Sequence, residues 1–396
     1  MRLTPELIEF IRVHEQDATE RLLLSAHSYP GVEIPFAIEQ ILARRQAKEK
    51  LPTWYEERRV VYPSRLAVEQ CSSEATAAYK QRLLVGSSLC DLTGGLGVDT
   101  HSFSQATREV IYVERDLACC QAARENFTLL NAPHVFVRHE EAGKAAGEIV
   151  TDTFYIDPSR RTNANKRVVT PADCEPDVLQ LKPLLLARAR RVIVKCSPMM
   201  DITESLHLFP ESEEIHVLAV KNECKELLLV LGQAYRLEQA TLHAVNITAA
   251  GEEQHLSFTL QEEREALPLQ AEKIGRYLYE PNSALLKAGA FKTVATRFNL
   301  GKLHPRSHLY TADRLVATFP GRIFAVDETI DFSGKALKQL ANRFPKAHLT
   351  TRNFTLSVAE LRQKSGIKEG GELYLFATTL AQRGGVLLLC HKATLR

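Results

Sequence analysis

The residues best placed to do chemistry lie in one stretch, SLCDLTGGLGVDT, residues 88–100. The apolar run Leu89–Leu92 predicts a short strand, glycines follow at Gly95 and Gly97, and a helix can begin at Val98. A glycine-rich turn between a strand and a helix lets the backbone approach a ligand closely, and the helix N–H groups point towards that ligand. The stretch therefore predicts a nucleotide- or nucleoside-binding loop.

The charge of this loop indicates which ligand it takes. Asp91 ends the strand, where its carboxylate would repel a pyrophosphate. Counted from Gly95, the third glycine of the dinucleotide pattern G-x-G-x-x-G is replaced by Thr100. A positively charged ligand is favoured instead, and S-adenosylmethionine carries both a sulfonium and an ammonium group. We therefore predict that Asp91, Thr93, Gly95 and Gly97 bind S-adenosylmethionine, unless the loop is only a tight turn.

Two further acidic residues follow at informative positions. Glu114 ends the next predicted strand, 23 residues beyond Asp91, where a carboxylate can accept both ribose hydroxyls of a nucleoside. Glu140 follows the third strand and is placed to face the adenine edge of the nucleoside. The alternative, that Glu140 is an ordinary solvent-exposed glutamate, is equally compatible with the sequence. We predict both as cofactor-binding residues.

The fourth predicted strand ends in Tyr155-Ile156-Asp157-Pro158-Ser159-Arg160. Ligands of open parallel sheets bind at the carboxyl ends of the strands, so this end should face the glycine loop. Asp157 could accept a hydrogen bond from a substrate amine, or it could only cap a helix. Asp157, Pro158 and Arg160 are the predicted catalytic residues. The basic loop 160–167 that follows could neutralise substrate phosphates or be an ordinary solvated loop.

Cys196, after the fifth strand, is a second candidate for chemistry. A thiolate next to Lys195 would have a depressed pKa, as a nucleophile needs. No general base is identifiable for the later proton abstraction, and a cysteine at a strand end is more often a buried structural residue. We leave both readings open.

The elements that position these residues alternate between strand and helix from Leu83 to Gly232, which predicts a parallel sheet with helices on both faces. Only a short polar connection joins the last two strands, which makes this pair antiparallel because a parallel crossover needs a dozen residues or more. Seven strands are predicted: Ser88–Leu92, Val110–Val113, Val135–Val137, Phe154–Ile156, Val192–Val194, Ile215–Val220 and Leu227–Leu231.

The flanking regions have a different character. Residues 1 to about 70 read as helical, with one amphipathic pattern from Thr4 to a stop at Tyr29 and another from Phe36 to Lys50. After the sheet we expect two alternating strands, a boundary at the charged run Gln261–Glu265 and a helix over residues 282–297. A βαβαββ order from Arg322 onward predicts a small α/β unit.

Composition excludes several classes of protein. With 396 residues, 45% of them apolar and 25% charged, the chain is long enough for two or three ordinary globular domains. Eight cysteines without a C-x-x-C pair, and His304 and His308 without nearby ligands, predict no metal site and no disulfide scaffold. No signal-peptide layout and no apolar run of 18 residues is present, so we expect a soluble cytoplasmic protein with no membrane contact.

The loop DLTGGLGVDT, Glu114, IDPSR and the terminal hairpin resemble class I S-adenosylmethionine-dependent methyltransferases over about residues 75–232. Four further segments resemble, over the whole chain, a family of bacterial proteins assigned as RNA methyltransferases: VVYPSRLAVEQCSSEATA, VKCSPMMDI, YLYEPNSALLKAGAF and KLHPRSHLYT. The resemblance implies an α/β fold: a helical region (1–74), a Rossmann-like seven-stranded methyltransferase domain (75–235), a β-rich and ferredoxin-like region (236–322) and a THUMP-like domain (323–396).

The resemblance implies methylation of a base in tRNA or rRNA, with the THUMP-like unit as an RNA-binding region. The chain departs from the family of amino-group methyltransferases, which carry Asp/Asn-Pro-Pro and an aromatic that stacks on the flipped base. Here Ser159 and Arg160 stand at the last two positions. Two alternatives therefore stay open: a methyltransferase for a small molecule or a protein, and a non-catalytic RNA-binding protein on a methyltransferase scaffold. The sequence predicts no oligomeric state.

Overall fold

The computed structural model describes residues 2–160, 174–233 and 240–394, with Arg160 described by its backbone alone. The chain divides into two compact units: Met1–Glu214 with Glu226–Leu237, and Ile215–Lys225 with Glu238–Arg396. The four-part division predicted from the sequence stays a prediction.

Six α-helices lie at the start of the first unit, over residues 5–80. They are α1 (Pro5–His14), α2 (Thr19–Leu24), α3 (Ile34–Lys50), α4 (Pro52–Glu56), α5 (Arg65–Gln70) and α6 (Glu74–Lys80). The first expected amphipathic stretch is thus two helices, of which α1 is capped by the Thr4 hydroxyl. Trp54 is fully buried in one apolar cluster with Leu96 and Val98, so these helices pack directly against the glycine loop.

The rest of the first unit is a twisted sheet with helices between its strands. In chain order the elements are β1 (Ser88–Asp91), α7 (Val98–Ser104), β2 (Glu109–Glu114), α8 (Leu117–Leu129), β3 (Val135–His139), α9 (Ala142–Glu148), β4 (Thr151–Ile156), the short β5 (Ser159–Arg160) and β6 (Cys174–Glu175), α10 (Val178–Arg188), β7 (Ala189–Cys196), α11 (Ile202–Leu208), β8 (Ser212–Val220) and β9 (Glu223–Leu231). By the division above, residues 215–220 of β8 and 223–225 of β9 belong to the second unit.

Within this unit the strand order is β3-β2-β1-β4-β7-β9. All neighbours are parallel except β7 and β9, which are antiparallel. The chain order reverses between β1 and β4, so the ends of these two strands form the switch point where open α/β sheets bind ligands. The glycine loop and Asp157 follow these two ends, as the sequence predicted.

In the second unit, residues of β8 and β9 meet through a two-residue turn at Lys221 and Asn222, whose φ angles are 51° and 64°. Two positive φ angles are typical of the tight turn of an antiparallel hairpin, which confirms the predicted antiparallel pair. With β8 the sheet contains the seven predicted strands. It continues from β8 into β10 (Thr241–Ile247) and β11 (Glu253–Thr259).

The C-terminal part of the second unit forms a seven-stranded sheet in the order β13-β14-β12-β15-β18-β17-β16. Its elements are α12 (Leu260–Glu265), β12 (Tyr277–Pro281), α13 (Ser283–Ala288), α14 (Phe291–Phe298), β13 (Gly301–Lys302), β14 (Tyr310–Ala312), β15 (Gly321–Asp331), α15 (Gly334–Arg343), β16 (His348–Arg352), α16 (Val358–Ser365), β17 (Leu373–Leu380) and β18 (Gly384–Lys392). The predicted βαβαββ order from β15 onward is confirmed.

Two local details of this region differ from a simple loop and a single helix. The charged run Gln261–Glu265 forms helix α12, whose start is capped by the Thr259 side chain, and its role as a boundary stays a prediction. The helix expected over residues 282–297 is interrupted at Gly289, where a φ of 79° ends α13. Among the described residues, every helix is too short or too polar to cross a bilayer.

Candidate active site

Asp91 is the buried anchor of the glycine loop. Its Oδ1 accepts a hydrogen bond from the Thr93 backbone N–H at 3.0 Å, and its Oδ2 accepts one from the Thr100 hydroxyl at 2.5 Å. Only 1% of the residue is exposed, and this burial raises the pKa of the carboxyl group to about 7. Both oxygens therefore hold the two ends of the loop in register, a role in addition to the predicted attraction for a cation.

The loop needs glycine for conformation and for space. Gly95 and Gly97 have φ angles of 52° and 93°, in the left-handed region that other residues rarely adopt. A Cβ on Gly94 would lie 2.1 Å from the Tyr112 ring, which is buried and whose hydroxyl donates to the Gly95 carbonyl at 2.6 Å. The loop thus lies flat on this ring, and its outer side is the part that can meet a ligand.

Glu114 ends β2 beside this loop. One carboxylate oxygen accepts the Gly95 N–H at 2.9 Å, and the other accepts the Asp116 N–H at 2.8 Å. A carboxylate offers about four lone-pair sites, so about two remain for further donors. This matches the two hydroxyls of a ribose.

Glu140 follows β3, and its backbone N–H donates to the Glu114 carbonyl at 3.0 Å. Its carboxylate lies 2.7 Å from the Lys144 ammonium and 2.5 Å from the Arg138 guanidinium. The hydrogen bond from Lys144 lowers the pKa of Glu140. The side chain is therefore a paired carboxylate near the predicted ribose ligand, and its contact with adenine stays a prediction.

Asp157 is brought to the glycine loop by its own backbone. Its N–H donates to the Thr93 hydroxyl at 2.7 Å, which joins the end of β4 to the loop after β1. Its carboxylate forms an ion pair with Lys195, at the end of β7. Burial raises the pKa of Asp157; burial would lower that of Lys195, but the carboxylates of Asp157, Glu226 and Asp99 raise it. Lys195 is therefore a fixed positive charge beside Asp157.

The structure describes less of the other two predicted catalytic residues, Pro158 and Arg160. Pro158 is half-buried directly after Asp157. The Arg160 side chain and the basic residues Arg161, Lys166 and Arg167 lie outside the described residues. Their roles stay predictions.

A buried charged network behind the site was missed by the sequence reading. Lys80 is fully buried and contacts the Ser72 hydroxyl at 2.7 Å, Asp99 at 2.8 Å and Glu226 at 2.8 Å. The Tyr155 hydroxyl donates to Asp99 at 2.8 Å. One signal could have indicated this network: Glu226 directly precedes the apolar run Leu227–Leu231, where a charge needs a buried partner.

Cys196 does not have the depressed thiol pKa that its position next to Lys195 suggested. Burial, with the nearby Asp157 and Cys174, raises the pKa of this thiol to about 12. The Lys195 ammonium instead forms an ion pair with the Asp157 carboxylate. The geometry favours the structural reading of Cys196.

These residues fit S-adenosylmethionine. The flat glycine loop leaves room for a backbone contact, Glu114 has acceptor capacity for a ribose, and the buried carboxylate of Asp91 is compatible with a cationic ligand. When bound, S-adenosylmethionine supplies an electrophilic methyl group on a positively charged sulfur. The chain itself would hold the nucleoside at β1 and β2 and place an acceptor near the end of β4.

Comparisons with known proteins agree with this site and this fold. Residues 277–320 match a ferredoxin-like domain model, and residues 321–392 match a model described as THUMP domain-like. An uncharacterized S-adenosylmethionine-dependent methyltransferase of Mycobacterium tuberculosis (strain CDC 1551 / Oshkosh) is 24% identical over 361 residues, covering 88% of this chain and 94% of that protein.

The crystal structure of a candidate methyltransferase from Porphyromonas gingivalis W83 is 37% identical, covers 100% of both chains and has a TM-score of 0.89. The match over both full lengths includes the glycine loop, the strand ends and the C-terminal unit. The chain therefore belongs to the same family, that of S-adenosylmethionine-dependent methyltransferases with a C-terminal THUMP-like domain.

Proposed function

We propose that this enzyme methylates a nucleotide base in structured RNA, with tRNA and rRNA as the substrate classes. The observation that carries the proposal is the segregation of charge along the chain. Residues 277–392 contain 17 Lys or Arg and 8 Asp or Glu, an excess of nine positive charges, whereas the whole chain has a net charge of +2. The remaining residues are thus net acidic, and the basic part coincides with the ferredoxin-like and THUMP-like matches.

The exposed lysines of the THUMP-like region support this reading. Lys335, Lys338, Lys346, Lys364 and Lys368 are all exposed, and none of them forms an ion pair with another described residue. Lys338 and Lys364 line a hollow of about 510 Å³ together with apolar side chains that include Leu337 and Leu356. Lysines that pair with no carboxylate of the described residues, beside apolar side chains in one hollow, suit a polyanion whose bases can also be partly buried.

In the proposed reaction Asp91, Thr93, Gly95 and Gly97 shape the cofactor loop, and Glu114 and Glu140 hold the nucleoside. Asp157 orients the acceptor atom of the base for an in-line approach to the methyl group, so catalysis is mostly positioning. Pro158 stiffens the turn, and Arg160 contacts a phosphate or stacks on the base by its guanidinium plane. The stacking aromatic of the amino-group enzymes has no counterpart at Ser159 or Arg160.

Three measurements test the proposal. Calorimetry with S-adenosylmethionine should show binding; its absence would contradict the cofactor assignment. The purified enzyme should transfer labelled methyl groups to RNA from a strain that lacks the gene, and much less to RNA from the parent strain. Mass analysis of the nucleosides then identifies the modified base.

The variant Lys338→Ala/Lys364→Ala should weaken RNA binding and lower the slope of log K against log salt by about 0.7–0.9 per lost phosphate contact. The variant Lys48→Ala/Arg108→Ala, which also removes two exposed cations but from the first unit, is the charge-matched control. Methylation of a small molecule or protein that the lysine variant leaves unchanged would favour the alternative acceptor. Cofactor binding without turnover on any RNA would favour the non-catalytic alternative.

A further inference from the structure

The ion pair between Asp157 and Lys195 uses only one of the two carboxylate oxygens. The Lys195 ammonium donates to Asp157 Oδ2. Within the part of the chain that the structure describes, Asp157 Oδ1 accepts no hydrogen bond, and the Asp157 side chain is 32% exposed. Oδ1 is therefore an accessible hydrogen-bond acceptor directly after β4.

The backbone fixes where this acceptor lies. Strands β4 and β7 are parallel neighbours with Ile156 opposite Val194, so Asp157 and Lys195 are the next pair along the two strands. The Asp157 N–H donates to the Thr93 hydroxyl at 2.7 Å, which ties the same residue to the glycine loop after β1. The Lys195 side chain is only 13% exposed, so packing limits where its ammonium can lie. Oδ1 is thus held at the switch point of the sheet, where ligands bind.

Titratable groups from several elements of the first unit surround the pair. They are Lys50 on α3, Cys71 after α5, Lys80 on α6, Asp91 on β1, Asp99 on α7, Tyr155 on β4, Cys196 on β7 and Glu226 on β9. Burial raises the pKa of Asp157, and the Lys195 ammonium is the strongest influence that opposes burial. Loss of this ammonium would therefore raise the pKa of Asp157 further.

We propose that Lys195 is a positioning residue, which holds Asp157 by Oδ2 so that Oδ1 accepts a hydrogen bond from an N–H group of the methyl acceptor. This inference rests on the proposed function and narrows the acceptor to a base nitrogen that carries hydrogen, either an exocyclic amine or a ring N–H. An ionised carboxylate donates no hydrogen bond, so a ring nitrogen without hydrogen gains nothing from Oδ1. A ring carbon offers only a weak C–H donor.

The step is a balanced transfer of one methyl group. The lone pair of the acceptor nitrogen forms the bond to the methyl carbon while the bond from that carbon to sulfur breaks, and its electron pair stays on the sulfur. The N–H proton passes to Asp157 Oδ1 and then to water. Asp157 must be ionised for both tasks, and Lys195 favours that form.

Two variants of Lys195 test the inference through the pH dependence of kcat, with RNA from a strain that lacks the gene. An opposite charge in contact lowers a carboxyl pKa by about 1–3, so the acid limb of the profile should move up by about 1–3 pH units in Lys195→Met. Lys195→Arg keeps the cation and should restore most of the wild-type profile. Asp91, with a pKa of about 7, titrates in wild type and variant alike, so the shift is the readout. An equal loss of kcat at every pH would mean a structural role only and would overturn the proposal.

Lys182→Met is the matched control. The Lys182 side chain is also 13% exposed and pairs with Glu211 at 2.8 Å, but it lies on α10. The acid limb of this variant should stay at its wild-type position. Binding of S-adenosylhomocysteine checks that each variant is folded.

A measurement without substrate tests the pair itself. In urea denaturation at pH 8, a cycle of Lys195→Met, Asp157→Asn and the double variant should show a coupling of about 10–1000-fold in the unfolding equilibrium constant, the equivalent of a pKa shift of about 1–3. Additive effects of the two substitutions would refute the role of Lys195, whatever the methylation assays show.

The modified nucleoside tests the acceptor. A methyl group on a nitrogen that carried hydrogen supports the proposal. A methyl group on a ring nitrogen without hydrogen, on a carbon or on a ribose oxygen would overturn it and would leave RNA as the substrate. No transfer to RNA would instead contradict the proposed function, and the denaturation cycle would still decide on Lys195.

Discussion

Replacing Glu114 tests the cofactor site most directly. Two of its roughly four lone-pair sites are used by the N–H groups of Gly95 and Asp116, at 2.9 and 2.8 Å, which leaves two for the ribose hydroxyls. A hydrogen bond to a charged group contributes about 1.5–3 kcal/mol. The variant Glu114→Ala should therefore lose about 3–6 kcal/mol of binding, a rise in Kd for S-adenosylmethionine of about 10²–10⁴-fold. Calorimetric titration measures this change.

A control variant and a double-perturbation cycle, in which Glu114 and the ribose hydroxyl are removed separately and together, distinguish loss of the ribose contact from damage to the loop. Glu109→Gln alters an exposed glutamate at the opposite end of the same strand and should leave Kd unchanged. Wild type should bind S-adenosylhomocysteine that lacks the ribose 2′-hydroxyl more weakly than it binds intact S-adenosylhomocysteine. Glu114→Ala should bind these two ligands with about equal affinity. If removal of that hydroxyl costs the same affinity in both proteins, Glu114 supports the loop and does not bind the ribose.

Three other variants follow from the same geometry. Asp91→Asn should flatten the pH dependence of stability. The pKa of Asp91 is about 7 in the folded state against an ordinary value of 3.8, so between these values the folded state binds more protons than the unfolded state. The free energy of unfolding of the wild type therefore falls as the pH rises from about 4 to about 7, and the variant should lack this fall. It should also weaken binding of S-adenosylmethionine more than that of uncharged-sulfur S-adenosylhomocysteine; equal losses in calorimetry would mean that Asp91 acts only on the loop. Lys80→Met should cost about 3–5 kcal/mol in urea denaturation, because it leaves Asp99 and Glu226 buried without their cation, and Glu226→Gln added to it should restore part of the loss; an unchanged midpoint would contradict the network. Cys196→Ser should retain methyl transfer, since the thiol is neutral at working pH, and a dead but folded variant would revive the nucleophile reading.

Local patterns in the sequence predicted the architecture of the first unit well. A strand, its glycine turn and the helix after it involve contiguous residues, so the run from Leu89 to Val98 carries its own structural information. The hairpin of β8 and β9 was predictable for the same reason, because the length of a connection limits the direction of the next strand. The predicted helix over residues 282–297 missed one local signal. Gly289 adopts a left-handed conformation and ends α13 there.

The electrostatics of the site depended on contacts between distant residues. Lys80 and Glu226 are 146 positions apart, and Lys195 and Asp157 are 38 apart. In one of the two readings left open, Lys195 activates the adjacent Cys196, but alternation along β7 points neighbouring side chains in opposite directions. The lysine thus meets the carboxylate at the end of the next strand.

The sequence by itself therefore determined the fold class, the glycine loop and the placement of Asp91, Glu114 and Asp157 at strand ends, because these follow from short-range pattern and strand order. Only the tertiary structure decided the charge partners of those residues and the buried state of Lys80. Ion pairs, burial and pKa depend on which strands become neighbours, and that information is spread over the whole chain.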